Sequence, residues 1–237
     1  MRFFLLLMTS LCAFAQIERP QVGVMLDQNG DARPVWGVAA SATLGHPILN
    51  GVLSMACSQG TCLAKTAAAI VSSGAQTPGS ATVDAPAGPA IFGGSYVYFP
   101  QSQQLVHWHD GALDPVAFTA DGEVLALRAN GDGLDYAVSR AGATWVEHYS
   151  LADQSVQVLG SYAPVNAAMF TKQGTLLAAS DEVHWVRADG TDTIINTPGV
   201  EALIAMGDGY VELVTAKGRW MIDLNSGGLF LLPGVAQ

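Results

Sequence analysis

VEALIAMGDGYVELV, residues 200–214, is an apolar run, a Gly-Asp-Gly turn and a second apolar run. Short runs rich in β-branched and aromatic residues, joined by Gly, Asp and Asn, read as antiparallel strands and not as helix. The same unit recurs upstream as GPAIFGGSYVYF (88–99), DPVAFTADGEVLAL (114–127) and VNAAMFTKQGTLLAA (165–179). After each copy comes a strand that carries tryptophan: LVHWHDG, ATWVEHYSLADQS, EVHWVRADGT and GRWMIDLNSGG. Trp108, Trp145, Trp185 and Trp220 stand 37, 40 and 35 residues apart. A last short strand then leads, in most copies, into Pro or Gly next to Val.

Four strands in each unit of this length is the arithmetic of a β-propeller blade. The expected fold is all-β: a single β-propeller over residues 16–237, with five (alternatively six) blades of about four antiparallel strands. A β-sandwich is the other all-β reading. Residues 50–86 fit a degenerate blade, with Cys57 and Cys62 on its first hairpin. One blade is irregular, because NGDGLDYAVSRAG (130–142) adds a strand-like run. One tryptophan on the same strand of every blade is expected to pack between neighbouring blades, in preference to forming an aromatic floor for sugars.

The chain begins MRFFLLLMTSLCAFAQ: one positive charge at Arg2, an apolar run, then Ala13-Phe14-Ala15. This pattern is a secretory signal peptide, residues 1–15, with cleavage before Gln16. Its apolar run is too short to remain as a bilayer span, so no stable membrane anchor is expected after cleavage. A periplasmic or extracellular location follows. Composition agrees with a well-filled core, at 50% hydrophobic and 13% charged residues. The balance is acidic, with 20 Asp and Glu against 10 Lys and Arg, one of which is Arg2. Such a surface repels phosphate backbones, so no nucleic-acid partner is expected.

Cys57 and Cys62 are the cysteines of the mature chain. At hairpin spacing in an exported protein they are expected to form a disulfide. The loop is short, so the stabilisation should fall below the ~3 kcal/mol that chain entropy gives a 15-residue loop. None of His, Asp or Glu lies between Pro47 and Val83, which argues against a metal at the pair.

Two further stretches invite a metal. In DQNGDARPVWGV (27–38), Asp27, Asn29 and Asp31 fit positions 1, 3 and 5 of a calcium loop, but Ala32 and Val38 replace its Gly and its bidentate Glu. Asn29-Gly30 instead suggests a two-residue type I′ hairpin. Its register would set Leu26 opposite Arg33 and Val24 opposite Val35, with Val22, Val24, Leu26 and Val35 on one face. That hairpin is expected to close the ring or to cap it as a partial blade. In LVHWHDG, His107 and His109 share one strand face beside Asp110, as zinc ligands would. His184-Trp185 repeats the His-Trp pair without a second His, so the pair reads as blade architecture. The carboxylates Glu123, Asp132, Asp135, Glu147, Asp181 and Glu182 are scattered, and no nucleophile elbow, zinc-protease motif, phosphate loop or dinucleotide fingerprint occurs. No catalytic, cofactor-binding or metal-binding residues are assigned, and no cofactor is expected.

From these repeats outward, most of residues 20–235 resembles secreted bacterial β-propellers with degenerate WD40-like or YVTN-like repeats. VGVMLDQNGDARPVWGVAASATLG (22–45) is similar to the opening of exported propeller proteins of soil bacteria. Gly142-Ala143-Thr144-Trp145 is similar to the tail of the Asp-box of sialidase-like propellers, yet Arg140 stands where its Asp belongs and no arginine triad accompanies it. The resemblance therefore implies a fold and carries over no catalytic residues. The expected function is a non-catalytic binding or scaffold module, monomeric, for an unknown protein or small-molecule ligand. The alternative is a propeller hydrolase or lactonase acting on glycans or small molecules. Such an enzyme needs acids or histidines on its inner strands, and the inner-strand candidates AIFGGS, VAFTAD, NAAMFTK and ALIAMGDG are nearly all apolar or small.

Overall fold

The computed structural model describes residues 20–234 except 59, 75, 76, 110 and 198; the signal-peptide reading lies outside them, as does Asp110. Six antiparallel sheets follow one another, each built from one contiguous segment with strands in sequence order. The first sheet holds β1 (Gln21–Leu26), β2 (Ala32–Val38) and β3 (Ser41–Leu44). The second holds β4 (Val52–Ser58), β5 (Thr61–Thr66), β6 (Ala69–Gly74) and β7 (Thr77–Asp84). In the third are β8 (Ile91–Gly93), β9 (Tyr96–Phe99), β10 (Gln104–His109) and β11 (Ala112–Val116). The fourth comprises β12 (Glu123–Asn130), β13 (Gly133–Arg140), β14 (Ala143–Ser150) and β15 (Val156–Tyr162). The fifth has β16 (Ala167–Thr171), β17 (Gly174–Ala178), β18 (Glu182–Arg187) and β19 (Asp192–Asn196). The sixth ends the chain with β20 (Val200–Gly207), β21 (Tyr210–Thr215), β22 (Gly218–Asp223) and β23 (Leu229–Leu231).

The chain is a single β-propeller. The ring has six sheets, one of three strands, which is the alternative of the two expected blade counts. The first sheet is a full member of the ring, because each of the six junctions has its own apolar cluster. Val24 and Leu26 meet Met55 and Ala64 between the first and second sheets. Ile70 meets Val97 and Phe99 between the second and third. Tyr98 and Leu105 meet Leu134 and Tyr136 between the third and fourth. Ala126 and Ala137 meet Ala168 and Leu177 at the next junction. Trp185 and Leu176 meet Leu213 and Ile222 between the fifth and sixth. Met206 and Met221 of the sixth sheet meet Val22, Met25 and Val35 of the first, closing the circle. A wholly buried leucine at such a junction contributes enough that truncation to alanine costs about 2–5 kcal/mol.

The four recurring tryptophans all fall on the third strand of a sheet, as the repeat requires. Trp185 is buried, and Trp108, Trp145 and Trp220 pack against the junction clusters. Arg140 and Arg187 lie over the rings of Trp145 and Trp185 at 5.1 and 4.4 Å. These indoles fill wedges between blades.

The irregular blade has a simple explanation. VAFTAD is not an inner strand: Val116 ends β11, and residues 117–120 are a loop. EVLALRAN is the inner strand β12, so GLDYAVSR is the ordinary second strand. Phe118 holds the loop, edge-on to Tyr98, Tyr136 and Tyr149 at 5.9, 5.2 and 5.2 Å.

The opening hairpin also differs from expectation. Its register sets Leu26 opposite Ala32 and Met25 opposite Arg33. Asp27 explains the shift. Its Oδ1 accepts from the N–H groups of Asn29 (2.8 Å) and Asp31 (3.0 Å), and Oδ2 accepts from Arg33 Nε at 2.7 Å. Only Gly30 takes positive φ, at 77°, which makes a three-residue loop in place of the type I′ pair. With this turn and an irregularity in the pairing between Gln21 and Gly23, Val24 and Leu26 face one junction, while Val22, Met25 and Val35 face the other. β1 is covered on both sides because it sits between two sheets. Gly23 allows this approach: a Cβ there would lie 2.3 Å from Met206 O.

Backbone bonds tie the first sheet to the strand that follows. Val52 N donates to Gly30 O at 2.7 Å, and Ala32 N donates to Leu49 O at 2.8 Å. Cys57 and Cys62 face each other across the β4–β5 hairpin and are joined by a disulfide, as expected.

Candidate functional site

The first strands of the sheets surround a central channel of about 220 Å³. Leu26, Met55, Phe92, Leu127, Phe170 and Ile204 represent its wall, and Ser54 supplies its polar side chain among the described lining residues. Ser54 Oγ is occupied, accepting from Ala90 N at 2.8 Å. The inner strands are thus apolar and small where they meet the channel, which is how their sequences read.

A second cavity of about 220 Å³ adjoins the channel as its mouth and shares Met169, Phe170 and Ala205 with it. Its lining stays largely apolar but adds the charged side chains Arg128, Lys172 and Asp208 together with Ser58 and Cys57 of the disulfide. Arg128 leaves the end of β12 and lies over the Phe170 ring at 4.9 Å. Its Nη2 donates to Asp135 Oδ2 at 2.5 Å. Lys172 Nζ pairs with Asp208 Oδ2 at 3.1 Å, both side chains being exposed.

Asp135 is buried behind this mouth, on β13. Besides Arg128 it accepts from Asn130 Nδ2 and His148 Nδ1, each at 2.9 Å. Burial pushes its carboxyl up, but the donors Arg128, His148 and Asn130 outweigh burial and hold it below the usual range. An ionised carboxylate only accepts, so His148 carries its proton on Nδ1. The imidazole is thereby oriented by Asp135, which in turn holds Arg128 of the mouth.

Three other buried carboxylates are likewise paired with an arginine. Asp27 is bound by Arg33, Glu147 by Arg140 and Glu212 by Arg219. Glu147 also accepts from Tyr136 Oη at 2.5 Å. Burial and this carboxylate together push the Tyr136 phenol well above its ordinary range. Glu212 accepts from the backbone N–H of Leu26, across the junction, at 3.1 Å. Burial pushes the Glu212 carboxyl up despite Arg219. Lys65 is buried on β5 and donates to a backbone oxygen, Thr66 O, at 2.6 Å; burial lowers its pKa.

The residues singled out in sequence are dispersed. Asp27 and Asp31 both approach Arg33, at 2.7 and 3.7 Å, so the calcium-loop pattern serves a turn and an ion pair. His107 and His109 do share one face of β10, with rings 6.2 Å apart. His107 Nε2 lies 3.1 Å from Ser95 Oγ. His184, on β18, lies between Asp192 (2.8 Å) and Glu182 (3.0 Å), and the Asp192 bond raises its pKa. Of the scattered acids, Glu123, Asp135 and Glu147 all lie in the fourth sheet, on its first, second and third strands. Sequence reading missed the mouth. Its one available signal was the charge at Arg128, late in β12, and at Lys172, just after β16.

No protein-family model matches this chain, and no curated protein does. Solved structures similar to it include a chain of the nidogen/laminin complex, at TM-score 0.61 and 9% identity over 89% of this chain and 93% of that one. PorZ, described as a bacterial surface component of the type-IX secretion system of Porphyromonas gingivalis, is similar at TM-score 0.51 and 14% identity. That match covers 92% of this chain and 39% of PorZ. Hsv2 of Kluyvelomyces marxianus is similar at TM-score 0.51 and 12% identity, over 76% of this chain and 61% of that one. The chain therefore spans less than two thirds of PorZ and of Hsv2. At these identities the likeness is one of fold.

Proposed function

We propose that the protein is an exported β-propeller that binds a partner protein or ligand and does not turn over a substrate. One observation carries this reading: among the described residues every buried carboxylate is already held by an arginine, and none lines the central channel. Glycoside hydrolysis needs two carboxyl groups free to act, about 5–9.5 Å apart across the scissile bond. Here Asp27, Asp135, Glu147 and Glu212 serve as structural anchors within and between blades. Export is supported by the signal-like N-terminus and by the disulfide, which suits an oxidising compartment.

The reading is tested by assaying the purified mature chain against chromogenic glycosides and lactones. No turnover above buffer is expected. Hydrolysis that disappears in Asp135→Asn, the variant that removes the oriented His148, would overturn it.

A further inference from the structure

LVHWHDG sets a histidine on each side of Trp108, and the structure sends the indole and the imidazoles to opposite faces of β10. Trp108 packs against Ile70, Val97 and Phe99, at the junction of the second and third sheets. Side chains alternate along a strand, so His107 and His109 turn toward the fourth sheet. Tyr96, whose ring centre lies 4.8 Å from that of His107, packs against the cluster on that side. The fifth sheet uses its His-Trp pair in the opposite sense. Trp185 faces the following junction, with Leu213 and Ile222, so His184 turns back toward the preceding sheet. The shared dipeptide is therefore not a shared packing role, and blade architecture does not account for His107 and His109.

The two imidazoles are spaced for a common ion. Their ring centres are 6.2 Å apart and their planes 25° from parallel. A metal bonded to two imidazole nitrogens at ~2.0–2.1 Å holds the ring centres roughly 4.5–6.5 Å apart, according to the coordination angle. The observed spacing lies inside that range, so ring rotation brings one nitrogen of each onto the ion with no movement of β10. Ser95 Oγ lies 3.1 Å from His107 Nε2 and can accept from its N–H. That leaves the lone pair on Nδ1, as when a hydrogen-bond partner fixes the tautomer of a metal-bound histidine. Asp114, on β11, stands directly opposite His107 and is exposed. Directly opposite residues share a face, with Cβ atoms about 4.5–5.5 Å apart, so this carboxylate can reach the same point. Among the described residues no three such side chains already converge. The histidines form the chelate, and Asp114 or water completes it.

We propose that His107 and His109 form a surface chelate for a transition-metal dication, zinc or copper, with Asp114 as an auxiliary oxygen ligand. Imidazole nitrogens suit these ions, whereas magnesium and calcium take oxygen ligands. The formal net charge of −10 favours the approach of a cation. A metal held by His107 and Asp114 ties β10 to β11, the outer strand of the third sheet. The proposal goes beyond the binding reading given above, which needs no metal.

The test titrates the chelator-treated mature protein with zinc chloride by calorimetry, and with copper chloride by electron paramagnetic resonance. One saturable zinc site and a zinc-dependent rise in melting temperature are expected. The copper spectrum should show coupling to two imidazole nitrogens. His109→Gln, at an exposed position, should leave the metal-free melting temperature unchanged. It should weaken zinc binding by about tenfold or more, as loss of even a ligand's hydrogen-bond partner does. His107→Gln should weaken binding similarly, and Asp114→Asn less. His46→Gln and His184→Gln should leave it unchanged. The proposal is overturned if no zinc heat saturates, or if binding survives His107→Gln and His109→Gln combined. Loss of binding in His184→Gln would assign the ion to His184 with Glu182 and Asp192, and would also overturn it. None of these outcomes touches the binding reading, which falls only on hydrolytic turnover.

Discussion

Glu147 and Glu212 are two buried glutamates with the same kind of partner and different reach. Each binds an arginine seven positions away, Arg140 or Arg219, across the hairpin between the second and third strands of its sheet. The second oxygen of Glu147 stays at home, accepting from Tyr136 in the fourth sheet. The second oxygen of Glu212 leaves the sixth sheet and accepts from Leu26 N, 186 residues away. The fourth sheet is thus internally satisfied. The sixth is satisfied only when the first sheet is in place, and the ring seam is therefore a polar contact as well as an apolar one.

Removal of the first hairpin should have the largest effect on that comparison. Deleting residues 20–37 strips Val24, Met25, Leu26 and Val35 from two junction clusters and leaves Glu212 without its backbone donor. Loss of cooperative thermal unfolding is expected by calorimetry. A deletion variant that melts like the intact chain would mean that the ring closes without its first sheet.

Smaller effects should separate the two glutamates. Glu212→Ala leaves Arg219 and the Leu26 N–H unpaired in a buried seam, an expected loss of about 3–5 kcal/mol. Glu147→Ala should cost about 1–3 kcal/mol, since Arg140 can still turn toward Asp121, now 4.0 Å away. Amide exchange sharpens the contrast: Glu212→Ala should release protection in β1–β3, and Glu147→Ala should not. Equal losses with equal protection would erase the distinction.

Acidity should yield the smallest effects, with opposite signs for two carboxylates. Burial raises the Glu212 pKa, so its contribution is full below the unfolded value near 4.5 and fades as pH rises through the folded value. The stability gap between wild type and Glu212→Gln should accordingly narrow with rising pH. Asp135 is held low, so its contribution is full above 3.8 and fades as pH falls through the folded value. The gap to Asp135→Asn should narrow with falling pH. Denaturant melts across pH 3–8 read both slopes (an order-of-magnitude window set by carboxylate pKa values). Parallel slopes would break the pairing.

Much of the fold was legible because propeller repeats are local. Tryptophan spacing, turn chemistry and the Cys57–Cys62 hairpin all act within one sheet, and each led to the structure. The errors came where contacts between sheets decide. VAFTAD has strand composition, but Phe118 finds three tyrosines from two sheets and the segment becomes a loop. Asn29-Gly30 has type I′ chemistry, but the buried carboxylate of Asp27 organises a longer turn. A repeat count alone could not include the first sheet, which has three strands where the others have four. The site was less legible still. Inner-strand sequences announced an apolar channel, whereas the union of Arg128, Lys172 and Asp208 at its mouth depends on how three blades meet.

Each sheet is formed by one unbroken segment, and among the described residues no strand is exchanged between the first and last. This has a kinetic consequence. Pairing within a blade closes only short loops, so blades can form one by one as the chain is made from its N-terminus. The first sheet is then the earliest to form and the last to be completed. Its apolar flank waits for Met206 and Met221, and its Leu26 N–H waits for Glu212. A nascent chain stalled before residue 200 would carry an open, sticky end, and quality control would meet this protein at that seam.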